Sequence, residues 1–119
     1  MEVATMKNLK HLIPMSHKVT IYVPGTNGIY AEANNAEYAE KAATLLSSLY
    51  GGATQNENVG YWDSEAGILV KEKIITVFSF AAELTEESLD AVVTFCENMK
   101  SELKQEAISL EIDGELYFI

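Results

Sequence analysis

Apolar and polar positions along the chain fall into two rhythms. Lys18 to Pro24 alternates: Val19, Ile21 and Val23 share one face, Thr20 and Tyr22 the other, which is the period of a β-strand. Pro24 and Gly25 end it, and Thr26 to Ala33 reads as a polar loop. The period then changes to that of a helix. Asn34 stands at a capping position, with Glu37 three residues on to reach back, and Tyr38, Ala42, Leu45, Leu46 and Leu49 form an apolar stripe until Gly51-Gly52 stops it.

Ala53 to Trp62 predicts a second strand, interrupted at Gly60, where a bulge or a close backbone approach is expected. Asp63 to Gly67 makes a turn. Ile68 to Phe80 follows as the longest β-prone run, with Val70, Glu72, Ile74, Thr76, Phe78 and Phe80 on one face and Leu69, Lys71, Lys73, Ile75, Val77 and Ser79 on the other. Thr85 caps a second helix whose first turn carries Glu86 and Glu87, and Leu89, Val92, Val93, Cys96, Met99 and Leu103 make its stripe. Ala107 to Ile112, the pair Asp113-Gly114 and Glu115 to Ile119 form a closing hairpin. The order β-α-β-β-α-β with an extra C-terminal hairpin strand predicts an α+β, ferredoxin-like split βαβ domain, two helices on one face of an antiparallel sheet. Residues 1–17 read as an N-terminal arm and 18–119 as a single domain. The uncovered sheet face, carrying Tyr22, Tyr61 or Trp62, Ile75 and Val77 or their alternates, is expected to pair two copies as a homodimer.

Four segments carry a resemblance: Gly60-Tyr61-Trp62, Gly67-Ile68-Leu69-Val70-Lys71-Glu72, Gln105-Glu106-Ala107-Ile108 and Tyr117-Phe118. Together they resemble the DUF3574 family of small uncharacterised proteins, with its glycine-aromatic pair, its G-x-L-x-x-E strand and its Q-E-S-V entry to the last strand. The resemblance spans Lys18 to Phe118 but is carried by about a dozen positions. It departs at Ala107, where the family has serine, and in lacking the family's arginines. It implies the ferredoxin-like fold and no activity.

Charge narrows the chemistry. The chain has 18 acidic residues against 8 basic ones, a net charge of −10. All the basic residues are lysines. Residues 83–119 hold ten of the acids and only Lys100 and Lys104. Nucleic-acid backbones are therefore repelled, and the bland reading of such charge is solubility. Without arginine or a glycine-rich phosphate loop, nucleotide enzymes are disfavoured, although Lys71 and Lys73 with nearby aromatics could still hold a cyclic nucleotide. No apolar run approaches a membrane span, the first 18 residues show no secretory pattern, and a lone cysteine suits a reducing compartment. The expectation is a cytoplasmic protein.

Neither His11 nor His17 has metal-ligand spacing, so no metal and no cofactor is expected. A proton-transfer role for His17 is the minor alternative to a surface residue. Cys96 falls on an apolar stripe and reads as inert. Glu72 is the one polar residue to single out: half-buried it would be a general base, exposed it would pair with a lysine. Tyr61 and Trp62 are core or interface aromatics, or the wall of a ligand pocket beside Glu72.

Three functions are in play. The first is a non-enzymatic acidic protein that inhibits a basic nucleic-acid-handling enzyme, in the manner of phage or plasmid anti-CRISPR and anti-restriction proteins, through Glu83, Glu86, Glu87, Asp90 and Glu97. It requires the acids to gather on one face. The second is a dimeric small-molecule module, sequestering or enzymatic, with a pocket near Tyr61, Trp62 and Glu72. The third is structural assembly through the sheet face. The charge asymmetry places the first ahead, with no catalytic residue assigned.

Overall fold

A computed structural model describes residues 6–27, 31–32 and 35–119. Alternation in the sequence becomes two sheet faces. Strand β1 (His17–Val23) buries Val19, Ile21 and Val23 completely, and β5 (Leu69–Ala81) buries Ile75, Val77, Ser79 and Ala81 on the same side. These two strands pair antiparallel from His17↔Ala81 to Val23↔Ile75. β4 (Thr54–Asp63) lies outside β5, β6 (Ser109–Ile112) lies on the other side of β1, and β7 (Glu115–Phe118) closes that edge. The sheet order β4-β5-β1-β6-β7, antiparallel throughout, is the ferredoxin-like arrangement with one strand added.

Helices α1 (Asn35–Tyr50) and α2 (Glu86–Glu102) supply the other half of the core. α1 turns Ala39, Ala42 and Leu46 inward, at the spacing that keeps one face toward the sheet, and α2 does the same with Ser88, Val92, Cys96 and Met99. Thr85 caps α2 by accepting from the Ser88 amide at 3.1 Å. Gly51, at φ 96°, ends α1 in the left-handed conformation that a residue with a side chain resists. The expected cap Asn34 lies outside the described residues.

Most element boundaries match the periodicity within a residue or two, and three expectations change. His17 belongs to β1, so the arm stops one residue sooner, and a single 3-10 turn at Lys7–Leu9 is its only helix among the described residues. The 26–33 loop contains a two-rung ladder between β2 (Thr26–Asn27) and β3 (Ala31–Glu32). Gly60 makes no bulge, since β4 and β5 stay in register past it. Its missing Cβ leaves room for Ile74 Cδ1, which would collide with any side chain there.

β1 reaches only as far as Ile75, so the first half of β5 and the facing part of β4 run on as a two-stranded arm. Tyr61, Ile68 and Leu69 are all more than half exposed on it. No helix among the described residues is long and apolar enough to cross a membrane.

Candidate functional site

At the root of this arm the sheet gives way to polar groups. The β1–β5 ladder ends at Val23↔Ile75, and the chain continues along β5 through Pro24. Gly25 then lies against the Lys73 carbonyl so closely that a Cβ would strike the oxygen, a backbone atom with nowhere to go. That approach delivers Thr26 to Glu72. Thr26 Oγ1 donates to Glu72 Oε2 at 3.1 Å, and among the described residues no other group bonds to this half-buried carboxylate. Gln105, just past α2, donates from Nε2 to the Thr26 carbonyl at 2.8 Å. Asn35, the first residue of α1, places its amide 3.5 Å from the Lys73 carbonyl.

Beside them is a cavity of about 460 Å³ lined by Gly25, Thr26, Asn35, Val59, Lys71, Glu72 and Lys73. Its volume falls in the range that holds a small organic ligand. Its lining holds one acid, two lysines, a hydroxyl and an amide, with Val59 as an apolar wall. Such a set can bind a ligand that is part cation, part hydrogen-bonding ring, and part apolar.

Glu72, selected from sequence, is thus placed on a cavity wall. Tyr61 and Trp62 are not brought to it: they stand opposite Lys71 and Val70 farther out on the arm, 60% and 39% exposed, outside the lining. Gly25, Thr26, Asn35 and Gln105 went unselected because glycine and threonine after a proline read as punctuation and the others sit at helix ends. One signal was available. Carrying the β1–β5 register two rungs past Val23 sets Gly25 opposite Lys73, and one residue more sets Thr26 opposite Glu72.

The second concave region is the open sheet face, where a groove of about 380 Å³ runs over Lys18, Thr20, Tyr22, Asn58, Ile74, Thr76, Phe78 and Glu111 among others. The expected face residues Ile75 and Val77 are in the core, and their alternates Ile74, Thr76, Phe78 and Phe80 point outward. Here the polar groups answer one another: Tyr22 donates to Glu111 at 2.8 Å, Asn58 to Thr76 at 2.8 Å, and Lys18 Nζ sits 4.4 Å from the Phe78 ring centroid. The Tyr22 hydroxyl titrates above its ordinary range, chiefly because of its bond to Glu111.

The remaining candidates are structural in geometry. Burial, and then the charge of Glu97, push the Cys96 thiol up to about 12. His17 Nδ1 is 2.7 Å from Asp113, and His11 is exposed on the N-terminal arm. Glu83, Glu86, Glu87, Asp90 and Glu97 are all exposed at α2 or just before it. Of the other acids in residues 83–119, Glu102 at the end of α2 meets Tyr38, Glu111 meets Tyr22, Asp113 meets His17 and Glu115 meets Tyr117, while Glu106 lies exposed just past α2.

No family model and no curated protein matches the chain. Two solved structures share its fold. A phage SAM lyase in complex with S-methyl-5'-thioadenosine superimposes with a TM-score of 0.65 at 18% identity, covering 87% of this chain and 88% of that one. A phage SAM lyase in the apo state gives 0.62 at 17% identity with the same coverage. These neighbours overturn the expectation of a non-enzymatic acidic inhibitor, of the anti-CRISPR or anti-restriction kind, acting only by protein binding: the fold they share with this chain is an enzyme's. The dispersal of the acids over helix, sheet face and hairpin gives the physical reason. The charge of −8 on residues 83–119 is not gathered on a single docking face.

Proposed function

We propose that the chain is a lyase acting on S-adenosylmethionine, with S-methyl-5'-thioadenosine as a product, and that Glu72 in the cavity at the arm's root is its central polar residue. One observation carries the reading: a half-buried carboxylate, held by Thr26, on the wall of a nucleoside-sized cavity in a fold that in a neighbour holds S-methyl-5'-thioadenosine.

Substrate chemistry fits the composition that disfavoured nucleotides. S-adenosylmethionine has no phosphate, so the lack of arginine costs nothing. It carries a sulfonium and an α-ammonium, which a protein of net charge −10 attracts. Release of the thioether breaks the bond between sulfur and the methionine γ-carbon. Sulfur keeps the electron pair and departs neutral, so the leaving group needs no proton. A lyase consumes no water, so the bond that the γ-carbon loses is replaced from within the methionine moiety itself.

Charge disappears at sulfur in this step and persists at the α-ammonium. A carboxylate pressed on sulfur would stabilise substrate more than transition state, whereas one on the ammonium stabilises both and orients the amino-acid moiety. Glu72 is therefore assigned to the α-ammonium, with its free oxygen available to accept from it. Lys71 and Lys73 are at hand for the substrate carboxylate. Val59 contributes the apolar surface.

The direct test is incubation of purified protein with S-adenosylmethionine, followed by chromatography for S-methyl-5'-thioadenosine. The proposal expects its appearance in wild type and its formation about ten- to a hundredfold more slowly in Glu72→Gln. Absence of product from wild-type protein of proven fold contradicts the reading. Pairing of two copies over the open sheet face belongs to the same proposal, supported by the exposed Phe80, and sedimentation of wild type against Phe80→Glu checks it.

A further inference from the structure

Gln105 belongs to one of the sequence segments singled out above, yet it lies outside the cavity lining and more than thirty positions from Glu72. Its place is set by how α2 ends. The Leu103 amide reaches back to the Met99 carbonyl at 2.9 Å, Lys104 takes the left-handed conformation at φ 52°, and the Gln105 amide bonds to the Lys100 carbonyl at 2.9 Å. This left-handed turn is the usual helix stop with a lysine where glycine is preferred. It throws the Gln105 side chain toward the start of β2.

There the carboxamide nitrogen meets the Thr26 carbonyl at 2.8 Å, the Leu103 carbonyl at 3.1 Å and, more weakly, Thr26 Oγ1 at 3.4 Å. Both short partners are carbonyl oxygens, which only accept, so the amide orientation follows from its neighbours. With a donor approaching its oxygen, the Thr26 hydroxyl directs its own hydrogen to Glu72 at 3.1 Å. The chain of donors runs one way, Gln105 to Thr26 to Glu72, and joins the end of α2 to the wall of the cavity.

We infer that Gln105 is a positioning residue: through Thr26 it fixes the rotamer of the Glu72 carboxylate that the proposed lyase reading places on substrate. The inference rests on that reading only for its kinetic consequence, since the geometry of Glu72 can be read without any ligand. A loosened carboxylate still carries its charge, so affinity should change less than turnover.

Two measurements on the full chain decide it. In the first, side-chain proton couplings of Glu72 are recorded for wild type, Gln105→Met, Thr26→Val and Thr26→Ser. One rotamer is expected for wild type and Thr26→Ser, and averaged couplings for Gln105→Met and Thr26→Val. In the second, turnover of S-adenosylmethionine is measured for the same set. Gln105→Met and Thr26→Val should each lower kcat about tenfold with KM changing less, the double variant should be no worse than either single one, and Thr26→Ser should stay within about twofold of wild type. Couplings identical to wild type in both Gln105→Met and Thr26→Val would overturn the inference. If Gln105→Met does not fold, the Thr26 pair decides, because Thr26→Val keeps the shape and removes the hydroxyl. Should wild type turn nothing over, the lyase reading falls and the couplings alone settle the role of Gln105.

Discussion

The sheet has a polar cluster at each end of β1, and the two are built to opposite plans. At the start of β1, Asp113 occupies the β6–β7 turn at φ 53° and spends its carboxylate within the fold. Oδ1 accepts from the Lys18 amide at 2.8 Å, Oδ2 lies 2.7 Å from His17 Nδ1, and the Asp113 amide donates back to the Lys18 carbonyl at 2.9 Å. This is a clasp that ties the C-terminal hairpin to the first strand. At the other end, Glu72 receives one neutral hydroxyl and faces a cavity of about 460 Å³. A carboxylate with both oxygens occupied is part of the scaffold. One with an oxygen turned to open space is available for work.

Exchanging acid for amide at each end breaks this comparison most sharply. Glu72→Gln should lower turnover of S-adenosylmethionine by about ten- to a hundredfold, the usual worth of a hydrogen bond to a charged group, while leaving the unfolding midpoint in urea near wild type. Asp113→Asn should do the reverse, with kinetics intact and a lower midpoint. Identical behaviour of the two variants would erase the distinction.

Next in size is the glycine that makes the open end possible. Gly25→Ala puts a methyl into the Lys73 carbonyl and should cost about 1–3 kcal/mol in urea unfolding, with loss of ligand binding. Gly60→Ala meets only the tip of Ile74, which can swing aside, and should cost visibly less.

The clasp also has a pH signature. Asp113 titrates below the ordinary aspartate range, first because of its bond to His17 and then because of the Lys18 amide. A carboxylate depressed in the folded state stabilises fully above its unfolded value of about 3.9, and that stability is lost as pH falls through the lower folded value. The difference in Tm between wild type and Asp113→Asn should therefore be steady from about pH 7 to pH 5 and close below about pH 4. Being exposed, the clasp gives a small effect.

Smallest is a contrast with the core. Cys96 is buried between the helices and the sheet, with its thiol at about 12. It should resist a disulfide reagent at about pH 8 in the native protein and react fully in urea.

Sequence patterning reached the fold because both rhythms were strong: alternation through Val19, Ile21 and Val23, and helical spacing from Val92 through Cys96 to Met99. It singled out Glu72, which lines the cavity, because a lone acid inside the most β-prone run conflicts with its surroundings. It did not reach Thr26 or Gln105, whose meeting depends on a tertiary register and on a left-handed turn at Lys104 that nothing local demands. It misjudged the acids because charge counted along a chain says nothing of direction. Residues 86, 90 and 97 share the outer face of α2, but Glu111 turns to the open sheet face and Asp113 into the clasp. Tyr61 and Trp62 were drawn toward Glu72 by closeness in β4 and β5, whereas strand alternation and the reach of the arm carry them past it.

The most direct measurement is a titration of isotopically labelled protein with S-methyl-5'-thioadenosine, followed by amide chemical shifts. The account predicts saturable changes at Gly25, Thr26, Asn35 and Lys71 to Lys73, with His17, Lys18 and Asp113 unmoved. Changes centred on the clasp or the open sheet face, or none that saturate, would contradict it.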